Sequence, residues 1–158
     1  MPLKPHRVTA MGFRAVGFAA ATTSSPDSDP GPAIGDLWRR FLAEGAAERI
    51  PARVTPLLYG VYSGYAGDHL GEHTLLVGGE SESTDPVEEP FRAVDVPAAE
   101  YLVFAAEGKM PDALIETWAG IWKYFEASAE RRAFTVDFEI HDPRTPERVD
   151  VYIAVESL

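Results

Sequence analysis

Near its end the chain carries the stretch Phe134-Thr135-Val136-Asp137-Phe138-Glu139-Ile140, which is mostly apolar but holds two carboxylates. Successive side chains of a β-strand point to opposite faces of a sheet, so a strand here places Asp137 and Glu139 on one face. Phe138 and Ile140 then lie on the other face. The stretch predicts a strand and leaves two alternatives for Glu139: exposure to water, or a place at the floor of a ligand pocket.

Outward from this strand, apolar residues spaced three and four apart predict helices at about 33–48 and about 111–129. Short apolar runs bounded by turn residues predict the strands around them. These runs are 14–20, 57–62 and 74–79 in the first half, and 92–96, 100–106, 134–142 and 149–155 in the second. The order strand, helix, strand, strand therefore occurs twice.

Two such units pair naturally about a pseudo-twofold axis. We therefore predict an α+β fold in which duplicated β-α-β-β units form one antiparallel sheet with two main helices on one face. We expect a single domain over residues 1–158, with a first repeat at about 4–80, an acidic linker at about 80–90 and a second repeat at about 91–156. The seam between the repeats is a natural place for a cavity.

Composition limits the chemistry of the chain. Its 158 residues include no cysteine, which excludes disulfides and thiol catalysis. A net charge of −11, with only 14 lysines and arginines, argues against direct nucleic-acid binding and favours neutral or cationic ligands. No apolar run reaches the ~18 residues of a membrane span, and the start lacks the features of a signal peptide. We expect a cytoplasmic protein with no membrane partner and no cofactor.

Seven segments of the chain match one known family in the family's own order. They are Leu37-Trp38-Arg39-Arg40-Phe41, Tyr59-Gly60-Val61-Tyr62, Leu76-Val77-Gly78, Pro97-Ala98-Ala99-Glu100-Tyr101-Leu102-Val103-Phe104, Trp118-Ala119-Gly120-Ile121-Trp122, Asp137-Phe138-Glu139-Ile140 and Val151-Tyr152-Ile153-Ala154-Val155. Together they resemble the GyrI-like effector-binding domain, which also occurs at the end of AraC-type and MerR-type multidrug-responsive regulators. The resemblance covers residues from about 4 to 155.

The resemblance implies an aromatic-lined hydrophobic pocket between the halves, with a buried glutamate that recognises lipophilic and often cationic ligands. By its place in the Asp137-Phe138-Glu139 motif, that glutamate is Glu139. The family often carries a tyrosine two residues later, where this chain has His141. No helix-turn-helix precedes the domain in this sequence, so the resemblance is to the stand-alone form.

Aromatic side chains are the candidate pocket walls around Glu139. An ionised carboxylate among aromatic rings is costly unless it is paired, and a ligand cation would supply the missing charge. Ring faces would add about 0.5–2 kcal/mol of cation–π attraction. The candidate ligand-binding residues are Glu139, Trp118, Tyr62, Phe104, Tyr152, Trp38, Tyr65, Trp122 and His141.

A metal site is the weaker interpretation of another part of the sequence. Asp68, His69, Glu72 and His73 lie within six residues, but their spacing in a Gly-rich segment fits no known ligand signature. We therefore predict no metal.

The expected function is binding of a small hydrophobic or cationic xenobiotic for sensing, sequestration or detoxification. One alternative, which the resemblance also implies, is hydrolysis of an electrophilic, cyclopropane-bearing compound with Glu139 as the catalytic residue that activates water. Another is a protein-interaction module whose partner is a regulator or DNA gyrase. In that case the acidic residues 80–89 would carry the contact.

Overall fold

The computed structural model describes residues 5–23, 31–64 and 72–156. In these ranges the chain forms eight β-strands, two α-helices and one short 3-10 helix. The elements follow in the order β1 His6–Ala10, β2 Phe13–Thr23, α1 Gly31–Ala43, a 3-10 helix Ala46–Arg49, β3 Leu58–Ser63, β4 Glu72–Ser81, β5 Arg92–Val96, β6 Ala99–Glu107, α2 Asp112–Ala127, β7 Asp137–His141 and β8 Arg148–Ala154. Each half thus reads β-β-α-β-β.

All eight strands belong to one antiparallel sheet in the order β1-β6-β8-β7-β3-β4-β2-β5. The predicted α+β fold, with duplicated units in one antiparallel sheet and two main helices, is confirmed. The two halves meet where β7 pairs with β3.

Two short turns connect strands at opposite edges of the sheet. Strand β1 leads into β2 after a short turn, although the two lie far apart in the sheet, and β5 leads into β6 in the same way. Ala10 pairs with Ala99 on one side of the two turns, and Phe13 pairs with Val96 on the other side. The β1–β6 and β2–β5 pairs therefore continue each other in the same register. A side chain at Gly12 would lie 2.8 Å from the carbonyl oxygen of Val96, so glycine allows this close approach. The sheet therefore curls and encloses one of its faces.

The helices cover the other face in two clusters. Helix α1 packs on β2 and β4 through Leu37, Phe41, Val16, Phe18, Leu75 and Val77. Helix α2 packs on β6 and β8 through Leu114, Ile121, Leu102, Phe104, Val151 and Ile153. The enclosed face holds a third cluster that includes Tyr59, Val61, Leu76, Tyr101 and Phe138.

Three of the differences between the observed and the predicted elements have a clear physical reason. Strand β1 was not predicted, because His6–Ala10 mixes polar and apolar residues in a short run. The first helix ends at Ala43, where Gly45 has φ 62° and a separate 3-10 helix follows. Strand β7 begins three residues later than predicted, because Phe134 takes φ 52° and breaks the extended backbone.

In the described ranges, neither helix is long and apolar enough to cross a membrane.

Candidate functional site

Glu139 lies at the seam between the two halves. It sits in β7, paired with Gly60 of β3 on one side and Val151 of β8 on the other. Its side chain shares the helix-covered face with the α1 and α2 clusters, and the residue is only 1 % exposed. The first alternative, an exposed carboxylate, is therefore excluded.

Three side chains hold the carboxylate. The hydroxyl of Tyr62 and the indole N–H of Trp118 both donate to Oε2, at 2.8 and 2.7 Å. The Nε2 atom of His141 lies 2.9 Å from Oε1. These contacts satisfy a buried anion that would otherwise be expensive to desolvate. They also join β3, β7 and α2 at one point.

Gly60 makes room for the carboxylate. A Cβ atom at this position would lie 3.0 Å from Oε1 of Glu139, closer than an unstrained contact. The two residues face each other directly across the β3–β7 pair. A residue with a side chain at position 60 would push the carboxylate from its place.

Aromatic rings surround the carboxylate. The ring of Trp118 meets that of Tyr62 edge-on at 5.2 Å, and the ring of Tyr62 lies 5.8 Å from that of His73. On the α1 side, the Trp38 ring lies 4.6 Å from the imidazole of His141. The result is a set of rings, which we call the seam cluster, consisting of Trp38, Tyr62, His73, Trp118 and His141 around Glu139.

The charge of Glu139 lacks a permanent positive partner. Among the described residues, no lysine or arginine forms an ion pair with it, and its single ion-pair contact is with His141. Asp137, two residues earlier on the same strand, differs, because Arg132 donates to its Oδ2 at 2.7 Å. Two buried carboxylates on one strand are thus held by different chemistry.

Of the other predicted site residues, Phe104 and Tyr152 pack in other clusters, and Tyr65 lies outside the described ranges. Phe104 packs against the rings of Tyr124 and Phe125 beneath α2. Tyr152 is on the enclosed face, where it stacks on Phe138 at 4.6 Å. Trp122 is partly buried one turn beyond Trp118 on α2. Tyr65, Asp68 and His69 lie outside the described residues, so the structure places none of them.

An open cleft of about 370 Å³ lies away from the seam cluster. Its lining includes Leu57, Ile140 and charged side chains that pair with each other, such as Arg144 with Asp142. Glu139 is not part of it. The cleft therefore offers neither the buried anion nor the aromatic rings of the seam.

Sequence reasoning did not identify two members of this site. For His73 the sequence favours contacts of a loop with a ligand, or plain surface, over a metal site, yet the residue is buried in β4 beside Tyr62. Gly60 belongs to the Tyr59-Gly60-Val61-Tyr62 motif, which predicts a strand but no role for the glycine. The signal for Gly60 was present, because a glycine in the middle of a strand marks a close approach by another group.

Comparison with known proteins agrees with this architecture. Residues 8–155 match the family described as "Cass2: Integron-associated effector binding protein". The chain is 30% identical over 79% of its length, and 79% of the relative, to a putative transcriptional regulator protein, YobU, of Bacillus subtilis. It is 32% identical over 81% of its length to the transcriptional regulator BrlR of Pseudomonas aeruginosa, and it spans about half of that protein (48%).

Two solved structures share the fold over nearly the whole chain. The integron cassette protein VCH_CASS2 of Vibrio cholerae has a TM-score of 0.79 and 28% identity, with 98% of both chains covered. SAV2435, solved with tetraphenylphosphonium bound, has a TM-score of 0.77 and 15% identity, with 98% of this chain and 94% of that one covered. The chain therefore belongs to the Cass2 family of integron-associated effector binding proteins, and the predicted GyrI-like effector-binding domain is confirmed.

Proposed function

We propose that this effector-binding protein takes up lipophilic organic cations at the seam cluster, with Glu139 as the anionic anchor. The observation that carries the proposal is the buried carboxylate among aromatic rings, which lacks an arginine or lysine partner among the described residues. Such a group is costly to keep charged, and a cation that reaches it gains both Coulombic attraction in a poorly solvated site and contact with ring faces.

The surrounding rings supply the apolar part of the site. Tyr62, Trp118 and Trp38 are all partly buried, so each has a surface against the protein and another toward solvent. Broad, flat contacts of this type require few directional hydrogen bonds. The site therefore accepts ligands of different shapes if they combine positive charge with apolar bulk.

A ligand must displace part of the present packing. In the structure, Tyr62 and Trp118 cover the carboxylate through their bonds to Oε2. We propose that the ligand moves one of these rings aside. The hydrogen bond between that ring and Oε2 is lost, and the positive charge of the ligand takes its place beside the carboxylate. The other ring keeps its bond, so the carboxylate stays oriented.

The comparisons support this choice of ligand class. SAV2435, which shares the fold, binds tetraphenylphosphonium, a cation that carries four phenyl rings. The relatives YobU and BrlR are described as transcriptional regulators. For this chain we therefore propose sensing of a xenobiotic cation, or its sequestration or detoxification.

Ligand-dependent stability tests the proposal. Tetraphenylphosphonium should raise the midpoint of thermal unfolding and quench tryptophan fluorescence, because Trp118 contacts the anchor. Saturation at a hundredfold excess over the dissociation constant adds about 2.7 kcal/mol of stability. Mass spectrometry of the recovered compound should show it unchanged. With an electrophilic, cyclopropane-bearing compound in place of the cation, a hydrated product formed by wild type and lost in Glu139→Gln would instead favour a hydrolase. The absence of any stabilisation by tetraphenylphosphonium would contradict the proposal.

A further inference from the structure

We propose that His141 sets the charge selectivity of the Glu139 site by acting, when protonated, as an internal cation that competes with the ligand. The inference rests on the proposed function and adds a control to it. With His141 neutral, the site accepts lipophilic cations. With His141 protonated, the site rejects them and retains neutral aromatic ligands.

The geometry gives His141 access to both Glu139 and solvent. Its Nε2 lies 2.9 Å from Oε1 of Glu139, the oxygen that Tyr62 and Trp118 leave free. Its side chain is 24% exposed, against 2% for that of Glu139, so protons reach the imidazole from bulk water. Imidazoles are the side chains that gain or lose a proton most readily near physiological pH, so a histidine at this place can act as a switchable cation.

A protonated His141 is surrounded by the features that we propose for ligand recognition. Its Nε2 atom faces the Glu139 carboxylate, and the centre of its ring lies 4.6 Å from the centre of the Trp38 ring. A carboxylate and a neighbouring aromatic ring together stabilise a cation. The imidazolium thus takes the place of the ligand's charge, and the two cations exclude each other.

Other charged groups do not substitute for His141 among the described residues. Its sheet neighbours Leu58 and Val149 are apolar, and α1 presents Trp38 to it. Trp118 of α2 does not titrate, Tyr62 donates to Oε2 rather than to the oxygen that faces His141, and the ring of His73 lies 5.8 Å from that of Tyr62. The charged side chains on and just after α1 pair with one another, Asp36 with Arg39 and Arg40 with Glu44, and after β7 Asp142 pairs with Arg144. Glu147 of the same segment is exposed.

The direction of the pH effect follows from linkage. Cation binding and protonation of His141 oppose each other, so each weakens the other by the same factor. The affinity for a permanent cation should fall with falling pH, by up to about tenfold per pH unit for one competing proton. A variant without the imidazole separates the effect of His141 from any other effect of pH.

The experiment is calorimetric titration with tetraphenylphosphonium, whose charge does not change with pH, and with neutral triphenylphosphine oxide. Wild type should bind the cation at least about tenfold more weakly at the lower end of the pH range 5 to 8 than at the upper end. His141→Gln, which keeps a polar side chain without titrating, should show a much flatter profile. Triphenylphosphine oxide should bind wild type without this loss.

Two further measurements keep the test decisive. His141→Lys places a permanent cation beside Glu139 and should abolish tetraphenylphosphonium binding across the range while retaining the neutral compound. In wild type, titrations in buffers of different ionisation enthalpy should show proton release on cation binding. Equal pH profiles for wild type and His141→Gln, or no proton release, would overturn the role of His141 and leave the proposed function intact. Failure of wild type to bind the cation at any pH would overturn both.

Discussion

Gly60 lies directly across the β3–β7 pair from Glu139, and a methyl group on its Cα would come within 3.0 Å of the carboxylate Oε1. The absence of a side chain on one strand therefore creates the space for a buried charge on the next. This relationship positions Glu139 toward His141, Tyr62 and Trp118.

Replacing Gly60 by alanine should destabilise the protein by about 1 kcal/mol, because the carboxylate must shift by a few tenths of an ångström. The control is Gly35→Ala on α1, where the new Cβ would have its nearest neighbour at 3.9 Å, the end of the Arg39 side chain. There the better helix propensity should raise stability by about 0.5–1 kcal/mol. Urea unfolding measures both, and a stabilising Gly60→Ala would contradict this account of the close contact.

Loss of the Trp118 indole N–H should weaken the fold as well as the site. Trp118→Phe keeps a ring against Tyr62 but removes the donor to Oε2. A hydrogen bond to a charged group contributes about 1.5–3 kcal/mol, and we expect a loss of that size in urea unfolding. Tyr124→Phe, on the same helix, is the control and should change stability by less, since its ring packing on Phe104 and Phe125 is retained. Equal effects of the two changes would argue against the bond.

Asp137 should be far more sensitive than an exposed aspartate nearby. Asp137→Asn removes the negative charge that lies 2.7 Å from the buried guanidinium of Arg132, which should cost about 3–5 kcal/mol. The matched control on β8 is Asp150→Asn, whose pair with Arg148 is exposed and should contribute about 0–1 kcal/mol. Similar losses in denaturant unfolding would show that burial does not distinguish the two pairs.

The enclosed tyrosines predict a loss of stability in alkali. Burial, with Glu80 and Tyr152 adding to it, raises the pKa of Tyr59 from 10.0 to about 12, and burial together with Asp137 raises the pKa of Tyr101 to about 12. Because these pKa values are higher in the folded state, the stabilisation is complete below pH 10 and is lost as pH rises toward 12. Each tyrosine contributes a slope of up to about 1.4 kcal/mol per pH unit.

Urea unfolding at several pH values in that window, with tyrosinate absorbance followed in parallel, measures this slope. Tyr101→Phe should give a flatter profile than wild type, although it also loses the hydroxyl bond to the Pro97 carbonyl oxygen. Identical pH profiles of stability for wild type and Tyr101→Phe would contradict the raised pKa of Tyr101.

Much of the fold could be predicted from the sequence, because each helix and most strands carry their own periodic pattern. The alternation around Phe138 and Glu139 placed their side chains on opposite faces, as the structure shows. Closure of the sheet could not be predicted, because it depends on the bend at Gly12 and on pairing between residues far apart in sequence. The exact boundaries of the two repeats stay a prediction.

The site was predictable only in part. Glu139, Trp118, Tyr62, Trp38 and His141 meet in the seam cluster, whereas Tyr152 faces the enclosed side. Which face an aromatic strand residue occupies depends on the register, and a single-residue difference in register reverses it. The inward position of His73 likewise follows from its strand pairing rather than from local composition.

The most direct test compares tetraphenylphosphonium binding by wild type and Glu139→Gln at about pH 8, where an ordinary histidine is neutral. Glutamine keeps the size of the side chain and an oxygen for Tyr62 and Trp118, so the fold should persist. Calorimetry should show wild type binding the cation and the variant binding it at least about tenfold more weakly, with neutral triphenylphosphine oxide little affected. Equal affinity of the two proteins for the cation would contradict the central role of the buried carboxylate.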